Sequence, residues 1–153
     1  MNQAQTQRFQ LANLFLGLAA FVMIFLPALI FKESETSFTG AEISFGKQFS
    51  SLGSLASGEI AFNPIVLLAF SLTLVGAVIP LFIPQGYMVS TIAFIVSAIL
   101  LIMMPEFTTV TVTILGNVNE VDVEWTYGVG LILAAIFSIL GALLGVFKLA
   151  KHD

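Results

Sequence analysis

Four stretches of this chain, residues 11–31, 64–83, 87–104 and 127–147, are almost wholly apolar and contain no Asp, Glu, Lys, Arg or His. A hydrocarbon core about 30 Å thick is crossed by roughly 20 such residues in a helix, because only a helix or a closed barrel satisfies its own backbone there. Apolar residues make up 58% of the chain and charged residues 9%. Ordinary soluble domains run near 45–50% and about 25%. The expected fold class is therefore mainly α and integral to the membrane. It is a four-transmembrane-helix bundle in one domain over residues 1–153, with a small extracytoplasmic β-sheet formed by two loops, 32–62 and 105–126.

The ends of these stretches carry local signals. The polar start MNQAQTQRFQ leads into an apolar run that is too long for a signal-peptide core and ends in LPALIF with no small-x-small cleavage pattern, so it reads as a retained anchor helix. Asn63 suits an N-cap and Pro64 a first helical turn. Pro84-Gln85-Gly86 reads as a tight turn between the second and third spans, and Pro105 stops the third. Pro27 and Pro80 fall inside apolar stretches, where they predict kinks.

With four spans, both termini and the short turn share one side, and the two long loops share the other. Arg8, Lys148 and Lys151 flank the termini, while Lys32 and Lys47 lie in the loops with eight of the nine acids. Lysine and arginine set orientation, and acidic loops suit the outer face. The expectation is a multi-pass protein of the cell membrane with N- and C-termini in the cytoplasm. A net charge of −4 gives no basic surface for nucleic acid, and with no cysteine there is neither a disulfide framework nor a thiolate site.

The stretch TTVTVTILGNVNEVDVEWTYG, residues 108–128, alternates in the period of a strand. A two-residue turn at Gly116-Asn117 pairs Leu115 with Val118, Val112 with Val121 and Val110 with Val123. Thr113 then meets Glu120, Thr111 meets Asp122 and Thr109 meets Glu124. One face holds Val110, Val112, Ile114, Val121, Val123 and Trp125. The other is a contact face of Thr109, Thr111, Thr113, Glu120, Asp122 and Glu124. A lone hairpin is marginal in water, so its apolar face needs cover. In the first loop, Ala41, Ile43 and Phe45 alternate like a strand, and Phe49, Leu52 and Leu55 recur like a short surface helix. Together they predict one small sheet over the helices, with Trp125 and Tyr127 at the membrane boundary.

This layout, with a longer first loop of strands and a hairpin in the second, resembles the claudin-type tetraspan arrangement. Residues 32–63 hold neither tryptophan nor cysteine, so no residue role transfers. Phe25-Leu26-Pro27-Ala28-Leu29, with 38–46 after it, also resembles small bacterial four-span membrane proteins of uncharacterised function. Those resemblances imply a four-span membrane fold and no particular activity.

Chemistry is sparse. Calcium takes 6–8 oxygens at about 2.3–2.6 Å, whereas alternate strand residues sit roughly 6.6–6.8 Å apart. Glu120, Asp122 and Glu124 therefore read as a solvated face, not a metal site. His152, in the terminal tail, lacks a positioned partner, and Lys148 and Lys151 read as anchors snorkelling to the lipid boundary. The spans offer only Asn13, Ser71, Thr73, Ser90, Thr91, Ser97 and Ser138. That leaves no base for hydrolysis and no charge for proton coupling, and no metal or other cofactor is expected. Gly130, Ala134, Ser138, Gly141, Ala142 and Gly145 form a small-residue face for close helix approach, within the chain or against a second one. Ala69, Thr73 and Ala77 repeat the spacing, as do Ala93 and Ser97. The expected role is non-enzymatic, through protein contacts as an accessory or assembly subunit or an adhesion-like element. The partners are membrane lipids and either a homo-oligomer or a larger membrane-protein complex. Binding or permeation of a lipid or small apolar ligand between helices and sheet is the alternative.

Overall fold

Pro27 and Asn63-Pro64 mark where the first long helix stops and the second begins. The structure, a computed structural model, describes residues 3–51, 55–83 and 86–151. α1 runs Gln3–Val22 and continues through a 3-10 turn, Met23–Phe25. Leu26, just before Pro27, is extended (φ −96°, ψ 161°), as the clash of a proline ring with its predecessor requires. The first apolar stretch therefore does not stay helical to residue 31: Pro27–Phe31 is a strand, β1. The periodicity of a short apolar run cannot separate strand from helix, and Pro27 alone marks the change.

α3, Pro64–Phe82, starts as its sequence indicates, with the Asn63 side chain accepting from the N–H groups of Ile65 and Val66 at 3.2 Å each. α4, Tyr87–Ile102, has 16 residues, and α6, Val129–Ala150, has 22. α1 with its 3-10 turn, α3 and α6 are long and apolar enough to cross a membrane; α4 is apolar but shorter, about 24 Å at 1.5 Å per residue. The expected 87–104 span ends two residues early because Met103 turns the chain into a four-residue helix, α5, Met104–Phe107. α1 packs on α3 and α6, and α4 packs on the same two helices. Pro84 and Gln85 of the expected turn lie outside the described residues.

Both loops gather at one end of these helices. β1 pairs antiparallel with β2, Ser37–Thr39, and with β7, Trp125–Tyr127. A second antiparallel sheet has the order β3-β4-β5-β6, from Lys47–Ser51, Ala56–Ile60, Val110–Ile114 and Asn117–Val121. Each sheet combines strands from both loops, so the expected single sheet is two.

The first loop reverses the expected assignment. Residues 40–45 form a short helix, α2, and 47–51 and 56–60 are strands, with Leu52 outside the described residues. Thr39 and Glu42 explain α2: the Thr39 hydroxyl accepts from Glu42 N–H at 3.2 Å, and the Glu42 carboxylate accepts from Thr39 N–H at 2.9 Å. That reciprocal capping box is a T-x-x-E signal, and it outweighs three alternating apolar residues.

The core continues from the helices into the sheets through Ala28, Leu29, Phe38, Ile43, Ile60, Val66, Phe70, Met104, Val110 and Leu131. Phe31 stacks on Trp125 with centroids 4.6 Å apart and rings 10° from parallel. Phe38 meets Phe31 edge-on at 5.2 Å, and Phe49 meets both Phe31 and Phe38 at 5.5 Å. Phe49 belongs to the second sheet and the other three to the first, so these rings join the two sheets.

Candidate functional site

The hairpin β5–β6 turns one residue earlier than the sequence indicates. Leu115 and Gly116 form the turn with φ of +50° and +82°, the positive pair that a type I′ hairpin requires. Leu115 N–H also donates to the Leu55 carbonyl at 2.9 Å, so the residue just before β4 holds the turn from the side. Each β5 residue therefore meets a β6 residue two positions before the expected one: Val110 faces Val121, Thr111 faces Glu120 and Thr113 faces Val118. A shift of two keeps every side chain on its face. Val110 enters the core, and Val112, Val123 and Trp125 pack against it.

The six expected contact residues separate. Thr111 and Glu120 share a rung with Glu59 and Gln48 across four strands, with the Thr111 hydroxyl 3.4 Å from the Glu59 carbonyl. Thr113 lies opposite Val118. Thr109 is exposed just before β5, and Asp122 and Glu124 lie in the link to β7, outside either sheet. Glu124 instead pairs with Lys32 at 2.5 Å, where the hydrogen bond from the ammonium, then its charge, holds the carboxyl below the usual carboxylate range. Lys47 pairs with Glu42.

Around these acids lies a groove of about 570 Å³, lined by Glu106, Glu120, Asp122 and Glu124 together with Thr109, Lys32, Trp125 and Tyr127. Sequence reasoning missed Glu106 and Lys32. Glu106 is placed by the short helix α5, with Pro105 in its first turn, and Lys32 by the pairing of β1 with β7; neither is visible from local spacing. Among the described residues, no three of His, Asp and Glu are grouped to hold a metal ion.

No protein-family model, curated protein or solved structure matches the chain. The site must be read from its own geometry.

The small residues of α6 face the chain's own helices. Gly130, Ala134, Ser138, Gly141, Ala142 and Gly145 are all buried. A methyl at Gly141 would lie 2.9 Å from the Phe94 ring, and one at Gly130 would lie 2.8 Å from Leu26 Cβ. Ser138 lies 3.4 Å from Ser97, whose hydroxyl donates to the Ala69 carbonyl of α3 at 2.7 Å. Asn13 and Ser90 also cross helices, both donating to the Gly76 carbonyl. Asn13, Ser90 and Ser97 thus tie neighbouring helices together.

Lys148 corrects an expectation: it is 1% exposed and does not snorkel at the surface. Its ammonium lies 5.4 Å from the Phe9 ring centre and 5.3 Å from that of Tyr87. Lys151 is exposed, 4.5 Å over the Phe147 ring. His152 lies outside the described residues.

Proposed function

We propose that this chain is a non-enzymatic, four-span protein of the cell membrane, with both termini in the cytoplasm, that works through protein contacts made by its outer sheets. It serves as an accessory or assembly subunit, or as an adhesion-like surface element, in an arrangement of the claudin type. One contrast carries the reading: Asn13, Ser90 and Ser97 tie neighbouring helices together, while an ordered acidic surface at the sheet end stands exposed. α4 crosses as the fourth span, with Gly86 and α5 extending its 16 residues toward the boundaries; bilayers accommodate such short helices by local thinning.

A cysteine in place of Glu120 should react with an impermeant maleimide on intact cells, and one in place of Lys151 only after permeabilisation. Cross-linking from residue 120 should recover a partner protein or a second copy. A monomer that yields no cross-link in its native membrane would sink the proposal.

The alternative, a lipid or small apolar ligand between the helices and the outer sheets, draws support from an apolar groove of about 280 Å³ lined by Ile102, Leu131, Ala135 and Ile139 together with Tyr127 of β7. Native mass spectrometry retaining one lipid on the chain, lost on Ala135→Phe, would favour it.

A further inference from the structure

β6 is the outer strand of its sheet, and all five of its residues are exposed. Ile114 and Asn117 flank the two-residue turn and exchange ladder hydrogen bonds, as do the pairs 112–119 and 110–121. The intervening residues Val118 and Glu120 therefore turn their N–H and C=O groups away from β5. Among the described residues no strand lies beyond that edge. Natural sheets blunt such an edge with charged side chains, lysine above all, with proline or with a bulge, and the one charge on β6 is Glu120. The β6 sequence NVNEV has neither lysine nor proline, and its pairing with β5 runs without a register shift.

The C-terminal end of the same edge enters the acidic groove, since Glu120 and Val121 belong to both. Among the described residues, Lys32 is the one basic residue lining that groove, and it is already paired with Glu124. Glu106, Glu120 and Asp122 make no ion pair among the described residues. Apolar side chains accompany the edge at its other end: Val118 is 66% exposed and Leu115 73%.

We infer that the β6 edge and the adjoining groove receive an extended segment of a partner protein by strand addition; because Val118 and Glu120 share one face of β6, the segment is apolar on that face at the end beside Val118 and rich in lysine or arginine on the same face at the end beside the groove. This rests on the proposed role in protein contacts and specifies its mode. Main-chain bonds to Val118 and Glu120 supply affinity, and alternate side chains supply selectivity. Basic side chains lie over Glu106, Glu120 and Asp122, and apolar ones cover Val118 and Leu115. A second copy of this chain is the poorer occupant, because it would bring the same acids edge to edge.

The test uses the full chain in nanodiscs of uncharged lipid and a fluorescent synthetic peptide that carries valines in one half and lysines in the other, followed by anisotropy. The peptide should bind, and methylating its alternate amides on the edge facing β6 should weaken binding roughly tenfold or more. Glu120→Gln with Asp122→Asn should weaken it by a similar factor and flatten its dependence on salt. Val118→Pro should remove binding, and Glu120→Lys should do so with the backbone intact; unchanged Trp125 emission reports that each variant is folded. Equal binding of methylated and unmethylated peptide, or preference for a glutamate–valine peptide, overturns the inference. So does a dimer that Val118→Pro abolishes while the lysine peptide fails to bind. If cellular cross-linking recovers the same partner from the wild type and from Glu120→Lys, the edge is wrong and the broader role stands. If it recovers none from either, the broader role fails as well.

Discussion

Asn13 of α1 donates its side-chain amide to the carbonyl of Gly76 on α3 at 2.7 Å. Gly76 lies four residues before Pro80, which has no N–H to give it. Ser90 of α4 donates to the same oxygen at 2.5 Å, and Asn13 also reaches Ser90 Oγ at 3.1 Å. A proline in an apolar helix thus frees an acceptor, and two neighbouring helices supply donors to it, as membrane interiors require.

Asn13→Leu should destabilise the helices by about 1–2 kcal/mol, the upper range for interhelical hydrogen bonds in membranes. Pro80→Ala restores the internal partner of Gly76, so Asn13→Leu should cost less in that background. A double-mutant cycle by steric trapping in micelles measures the coupling; additive effects would show that Asn13 and Pro80 are independent.

Gly141 marks the close approach of α6 to α4. Gly141→Ala sets a methyl 2.9 Å from the Phe94 ring, an overpacking that costs roughly 1–3 kcal/mol. Phe94→Leu should recover part of that loss in the double variant, read as melting temperature in detergent. Ile139→Ala, on an exposed position of the same helix, should change melting much less than Gly141→Ala.

Leu115 holds a positive φ that a bulky side chain rarely adopts. Leu115→Asn creates the Asn-Gly pair that type I′ turns favour. It should slow amide exchange across β5 and β6, with protection raised by about 0.5–1 kcal/mol. Unchanged exchange would mean that the contact with Leu55, not turn chemistry, sets the hairpin.

Burial alone would raise the Glu42 carboxyl, but the hydrogen bond from Lys47, the N–H of Thr39 and the lysine charge outweigh it and hold the group low. A carboxyl depressed in the folded state adds stability above its unfolded value, about 4.3 for glutamate. That contribution disappears as pH falls through the lower folded value. Protection of the α2 amides, taken relative to their intrinsic exchange at each pH, should therefore fall below about pH 4.3, and Glu42→Gln should remove that acid step.

Trp125 is the sole tryptophan, half-buried and stacked on Phe31. Phe31→Ala should shift its emission to the red and raise acrylamide quenching about twofold or more, since an aromatic face that now covers the indole is lost. An unchanged spectrum would place Trp125 outside the aromatic cluster.

The sequence by itself determined that long apolar helices dominate and that Asn63 and Pro64 open α3. It also contained the alternation within Val110–Ile114 and Asn117–Val121, because helix length, capping chemistry and strand alternation are local properties. It contained the Thr39–Glu42 capping box and Pro27 as well, but alternation in 41–45 and apolarity through residue 31 masked them. Only the tertiary structure decided that Pro27–Phe31 is a strand, since its partners Ser37–Thr39 and Trp125–Tyr127 stand apart from it in sequence. The hairpin register likewise depended on β4 beside β5, and the acidic groove on Glu106 and Lys32 arriving from separate elements. Those features arise from hydrogen bonds and packing between distant segments, which local spacing does not encode.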